Sequence, residues 1–73
     1  SVYPNPNNGV FVVDLNTNTL KVITIMDVTG RVVYSTNTFD VKHSINLTKL
    51  TNGVYFAQIS TEGKTNTFKL IKE

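Results

Sequence analysis

His43 is the single histidine among 73 residues, and an imidazole near neutral pH could shuttle a proton or bind a metal. No serine or acidic partner stands near it in a nucleophile motif, so it reads as a strand-flanking residue that merely titrates. Acid–base work would need two carboxylates side by side, yet Asp14, Asp27, Asp40, Glu62 and Glu73 are dispersed over strand ends and turns. Asp14, Asn16 and Asn18 alternate oxygen-bearing side chains as a calcium loop does. The closing glutamate and central glycine of an EF-hand are missing, which leaves them as solvated turn residues. No glycine belongs to a phosphate-cradling run followed by a helix. Asn46-Leu47-Thr48 fits the N-glycosylation acceptor pattern and is expected to be unmodified. With no cysteine in the chain, disulfides, thiolate metal sites and a cysteine nucleophile drop out together. These residues point away from an enzyme, and no metal or cofactor is expected.

The elements that carry them are strands. Apolar and polar residues alternate, as half-buried strands require. Phe11, Val13 and Leu15 share one face, as do Ile23 with Ile25, Ile45 with Leu47, and Tyr55 with Ala57 and Ile59. No stretch of Ala, Leu, Glu and Lys is present to sustain a helix. Turn signals fall at Asn7-Asn8-Gly9, Asn16-Thr17-Asn18, Asp27-Val28-Thr29-Gly30, Thr51-Asn52-Gly53 and Glu62-Gly63-Lys64. They divide the chain into strands expected at 1–3, 10–15, 20–27, 31–35, 42–48, 54–61 and 65–72. Asp27 and Gly30 occupy the first and fourth positions of a type I turn, which makes Asp27 a turn former. Gly53 is expected at positive φ on the way into the Tyr55 strand. The fold class that follows is all-β: a small immunoglobulin-like β-sandwich of about seven antiparallel strands, with a flattened barrel as the alternative. Leu50 and Tyr55 frame the start of the sixth strand in the manner of a tyrosine corner. Tyr55, Ala57 and Ile59 should pack against Phe11, Val13, Ile23 and Ile25.

Composition sets the outer limits. This length makes one core, and 40% hydrophobic against 16% charged residues suits a folded domain. The net charge of +2 comes from basic residues spread from Lys21 to Lys72. That spread lacks the basic stripe of a nucleic-acid binder. No apolar run approaches the roughly 20 residues of a membrane helix, and direct membrane insertion is not expected. Tyr and Phe residues could build a sugar-stacking platform, but alternation sends Phe11 and Tyr55 inward.

Four blocks in order carry a resemblance. Tyr3-Pro4-Asn5-Pro6-Asn7-Asn8-Gly9 leads into Phe11-Val12-Val13, and Asp27, Gly30 and Arg31 precede Val32-Val33. Ile45-Asn46-Leu47-Thr48-Lys49-Leu50 leads to Gly53-Val54-Tyr55, and Lys69-Leu70-Ile71-Lys72 closes the chain. Over nearly its whole length the sequence resembles the type A C-terminal sorting domain of cargo proteins of the bacterial type IX secretion system. Asn46 stands where that family often has Asp or Ser. The resemblance implies a non-catalytic sorting domain over residues 1–73, placed behind an upstream cargo domain. It implies as partners the type IX translocon and its sorting peptidase, and a route through the periplasm to the cell surface or the medium. Pro4, Asn5, Pro6, Gly9, Asp27, Gly30, Gly53 and Tyr55 are the motif residues expected to shape the fold. Lys69, Leu70, Ile71 and Lys72 are the expected recognition residues, with the two lysines forming a charged rim on a short terminal strand that offers a pairing handle. A fibronectin-like adhesion or carbohydrate-binding module is the rival reading, and it would need an exposed aromatic platform or a cluster of loop acids.

Overall fold

A computed structural model describes all 73 residues. Its seven strands are β1 (Val2–Tyr3), β2 (Val10–Asp14), β3 (Lys21–Asp27), β4 (Val32–Thr38), β5 (Lys42–Asn46), β6 (Gly53–Thr61) and β7 (Lys64–Lys72). They pair antiparallel throughout, in a three-stranded sheet β1-β2-β5 and a four-stranded sheet β4-β3-β6-β7. This is the expected sandwich. β4 runs three residues further than expected, because Thr36, Asn37 and Thr38 stay paired with Ile23, Val22 and Lys21. β5 stops earlier, where the Asn46 carboxamide accepts the Thr48 amide at 3.0 Å and turns the chain out of the ladder.

Alternation places the core where the sequence puts it. Phe11, Val13, Ile23, Ile25, Ile45, Leu47, Tyr55, Ala57, Ile59 and Leu70 form one buried cluster between the sheets. Burial of a side chain such as Ile25 is worth about 1.5–3 kcal/mol. The Tyr55 hydroxyl donates to the Thr51 carbonyl at 2.6 Å, four residues upstream at the β5–β6 corner. That is the tyrosine corner of immunoglobulin-like sandwiches. In the β6–β7 hairpin both central residues have positive φ, Glu62 at 52° and Gly63 at 76°. A two-residue hairpin turn of this hand matches the right-handed twist of its strands.

Register sorts the connections onto two ends of the sandwich. Val10 faces Asn46, Asp27 faces Tyr55, and Gly53 faces Lys72. The start of β2, the β3–β4 turn, the β5–β6 corner and the finish of β7 therefore share one end. The opposite end holds residues 14–21, 38–42 and 61–64. Here Lys21 is only 1% exposed. Its ammonium donates to the carbonyls of Thr17 (2.5 Å), Thr19 (3.1 Å) and Asp40 (2.8 Å), tying two connections together. The Thr19 and Thr61 hydroxyls meet at 2.7 Å, and Thr61 donates to the Leu20 carbonyl at 2.9 Å.

Candidate functional site

At the first end, the segment that leaves β1 crosses to the outer edge of β7 and fastens it. Asn5 does this with its side chain alone. Its carboxamide donates to the Lys69 carbonyl at 2.7 Å and accepts the Ile71 amide at 3.0 Å, imitating the paired bonds of a neighbouring strand. Asn7 continues with its backbone, donating to the Ile71 carbonyl and accepting from the Glu73 amide, at 2.9 and 2.8 Å. Pro4 and Pro6 follow cis peptide bonds and are exposed. Having no N–H, they leave no unpaired donor in this strap. Asn7 is buried and folds back on itself, its carboxamide oxygen accepting the Gly9 amide at 2.8 Å.

Gly9 is the point where three parts of the chain touch. Its φ is 110°, and a Cβ there would lie 2.9 Å from Lys72 Cε and 2.9 Å from Thr48 Cα. Only glycine fits, on steric and backbone grounds at once. The Gly9 carbonyl accepts the Leu47 amide, holding the β5–β6 corner against the strap. Lys72, 8% exposed, passes its stem over Gly9 and donates to the Asn52 carboxamide at 2.9 Å. Gly53 follows with φ at 150°, positive as expected, and its missing Cβ points into open space. Gly53 is therefore here for its backbone, while Gly9 is here for contact as well.

The β3–β4 turn completes this end. Asp27 Oδ1 accepts from the Thr29 hydroxyl (2.6 Å), the Thr29 amide (2.9 Å) and the Arg31 amide (3.1 Å), and the Gly30 amide closes onto the Asp27 carbonyl at 3.0 Å. The Thr29 hydroxyl above all, with the two amides and the Arg31 charge, holds the Asp27 carboxyl below the usual aspartate range. Its oxygens are engaged in shaping a turn. His43 reaches Asp40 at 3.3 Å near the opposite end, and that contact, followed by the Thr38 hydroxyl, lowers the Asp40 pKa. Asp14 Oδ1 accepts the Asn16 amide at 3.2 Å, a turn role for the residue considered for calcium.

The structure thus brings together three of the four sequence blocks in direct contact: 3–9, 45–55 and 69–72. Asp27 and Gly30 stand beside them across the Asp27–Tyr55 pair. The four terminal residues divide by strand phase. Lys69 is exposed and Ile71 half-buried on the outer face, whereas Leu70 belongs to the core and Lys72 is buried. The expected rim of two free ammonium groups is therefore one ammonium, that of Lys69, because Lys72 shares the inward phase of Leu70. The terminal strand is nine residues long, not short. Asn7, Thr48 and Asn52 complete the junction; the sequence marked Asn7 and Asn52 as turn residues and Thr48 as part of a glycosylation pattern, not as contacts of the terminal strand. A groove of about 300 Å³ opens beside it, lined by Val33, Tyr34, Leu47, Leu50 and their neighbours.

The family model for the secretion system C-terminal sorting domain matches residues 1–73. The chain belongs to this family. It is a C-terminal sorting domain of the Por, or type IX, secretion system, and the family is one of non-catalytic sorting domains. No curated protein matches the chain. A sorting domain serves a secreted protein and acts through the secretion machinery, so its site is a surface that is bound. The aromatic residues do not assemble the platform of the rival sugar-binding reading: Phe11 and Tyr55 are core residues, while Tyr3 and Phe39 are exposed on different elements.

Proposed function

We propose that the type IX translocon recognises the strapped end of this folded domain and thereby carries an upstream cargo domain from the periplasm across the outer membrane. The cargo then reaches the cell surface or the medium, and the sorting peptidase separates it from the domain. The observation that carries this reading is the convergence of residues 3–9, 45–55 and 69–72 on one junction. Asn5 bonds to partners 64 and 66 positions away. Such a junction exists only in the folded chain, so a receptor that binds it senses completed folding. Lys69 and Ile71 are the terminal-strand side chains available for direct contact; Leu70 and Lys72 position them from within. Pro4, Asn5, Pro6, Gly9, Asp27, Gly30, Gly53 and Tyr55 set the shape that is bound.

The test is a fusion of residues 1–73 to the C-terminus of a periplasmic reporter, in a host with the type IX machinery. The reporter is expected on the surface or in the medium, with peptidase action visible as reporter lacking the domain. Lys69→Gln is expected to reduce export without changing the melting temperature. Retention of the intact fusion, in a host that exports its own cargo, overturns the reading.

A further inference from the structure

The sandwich has four sheet edges, and they are unequal. β1 is two residues long, β5 five, and β4 pairs with a register shift at Ile25/Met26. Shortness and bulges are ordinary protections against strand addition. β7 has neither: it is nine residues long, without proline, and pairs with β6 in unbroken register from Lys64 to Lys72.

Backbone alternation shows which groups this edge offers. Ile71 bonds outward, to Asn5 and Asn7, so Lys69, Thr67 and Thr65 present their backbone to the same side. The strap takes the Lys69 carbonyl, both Ile71 groups and the Glu73 amide. It goes no further. The Lys69 amide and the amides and carbonyls of Thr67 and Thr65 have no hydrogen-bond partner.

We propose that this open half of the β7 edge, Thr65 to Lys69, is a strand-addition seat for an extended segment of the secretion machinery. The inference rests on the sorting reading above. Backbone bonds to Thr65, Thr67 and Lys69 supply the affinity, and the flanking side chains set the sequence that fits. Phe68 is half-buried on the inner phase and asks for an apolar residue opposite. Lys69 is exposed and favours a carboxylate beside it. The strap ends the seat, since Asn5 already holds the Lys69 carbonyl. The incoming segment is therefore short and its register is fixed.

Thr67→Pro tests the backbone directly. The Thr67 amide points away from β6, so proline removes no bond of the β6–β7 ladder and lets this strand fold. Thr67→Val changes the side chain and keeps the amide. The wild-type fusion and Thr67→Val are expected to be exported, while export of Thr67→Pro falls about tenfold or more, the loss of at least about 1.4 kcal/mol of binding, at an unchanged melting temperature. Amide exchange at Thr65, Thr67 and Lys69 is expected to be fast in the free domain and slowed by purified translocon in detergent. Export of Thr67→Pro equal to wild type overturns the seat and leaves the sorting reading standing. Absent protection by the translocon overturns it too, even where Thr67→Pro is destabilised. A dimer that Thr67→Pro abolishes, with no translocon protection, assigns the edge to a second copy and also overturns it. Failure of the wild-type fusion to be exported strikes the sorting reading itself.

Discussion

The two ends of the sandwich solve the same problem with different materials. At the Lys21 end, one buried ammonium and the Thr61 hydroxyl satisfy the carbonyls of neighbouring connections, and the Thr19 hydroxyl meets that of Thr61. At the strapped end, a carboxamide, a backbone and a glycine with no room for a methyl group join segments from both halves of the chain. The first arrangement uses side chains that many sequences could replace with equivalent donors. The second depends on residue identity at Asn5 and Gly9, and it is where segments 3–9, 45–55 and 69–72 meet. The junction that fastens the terminal strand thus draws on segments far apart in sequence, while the far end carries ordinary turn chemistry.

Substituting glycines at the two ends gives the largest contrast. Gly9→Ala should lose about 3 kcal/mol or more, combining an overpacked contact with Thr48 and Lys72 and a positive φ. Gly63→Ala, with φ at 76° and nothing within 4 Å of its Cβ, should lose only about 1 kcal/mol. Urea unfolding of both variants checks this, and equal losses would erase the distinction between the ends. Lysines come next, and their order is reversed. Lys21→Met strands three carbonyls and should cost about 1–3 kcal/mol, whereas Lys72→Met gives up one exposed-carboxamide bond and should cost about 1 kcal/mol or less.

Asn5→Ala sharpens the comparison by locating the effect. A loss of about 1 kcal/mol should come with fast amide exchange at Ile71 and unchanged exchange at Lys21, measured residue by residue. Acid gives the smallest effect. Hydrogen bonds lower the Asp27 and Asp40 carboxyls in the folded chain, so their contribution is present at neutral pH. It is lost as pH falls below the ordinary aspartate value, about 3.9, through the depressed folded values. Asp27→Asn should flatten part of that acid limb in a melting-temperature series from pH 7 to about pH 2. Asp40 is exposed and Asp27 half-buried, and added salt should weaken the charge-dependent part further, more at Asp40.

Strand positions and the core were legible because alternation and turn residues are local signals. Phe11, Ile25 and Tyr55 needed no knowledge of what faced them. The fastening of β7 was not legible, since the partners of Asn5 depend on a register set across the whole domain. The two buried lysines fall between these cases. Lys21 is in phase with Ile23 and Ile25, and Lys72 with Leu70, so period two places both inward. The charged rim expected of Lys72 is excluded by that phase. A long aliphatic stem satisfies the inward position when its ammonium finds oxygen at the end of the sheet.

The strap has a consequence for the life of the chain before any receptor is met. The partners of Asn5 are synthesised 64 and 66 residues after it, so the clasp closes only after the ribosome has passed Ile71. A product cut short within β7 leaves β6 as a bare edge and the strap without a seat. On the proposed reading, the clasp makes export depend on a finished β7, because a domain cut short within that strand lacks the surface that is bound.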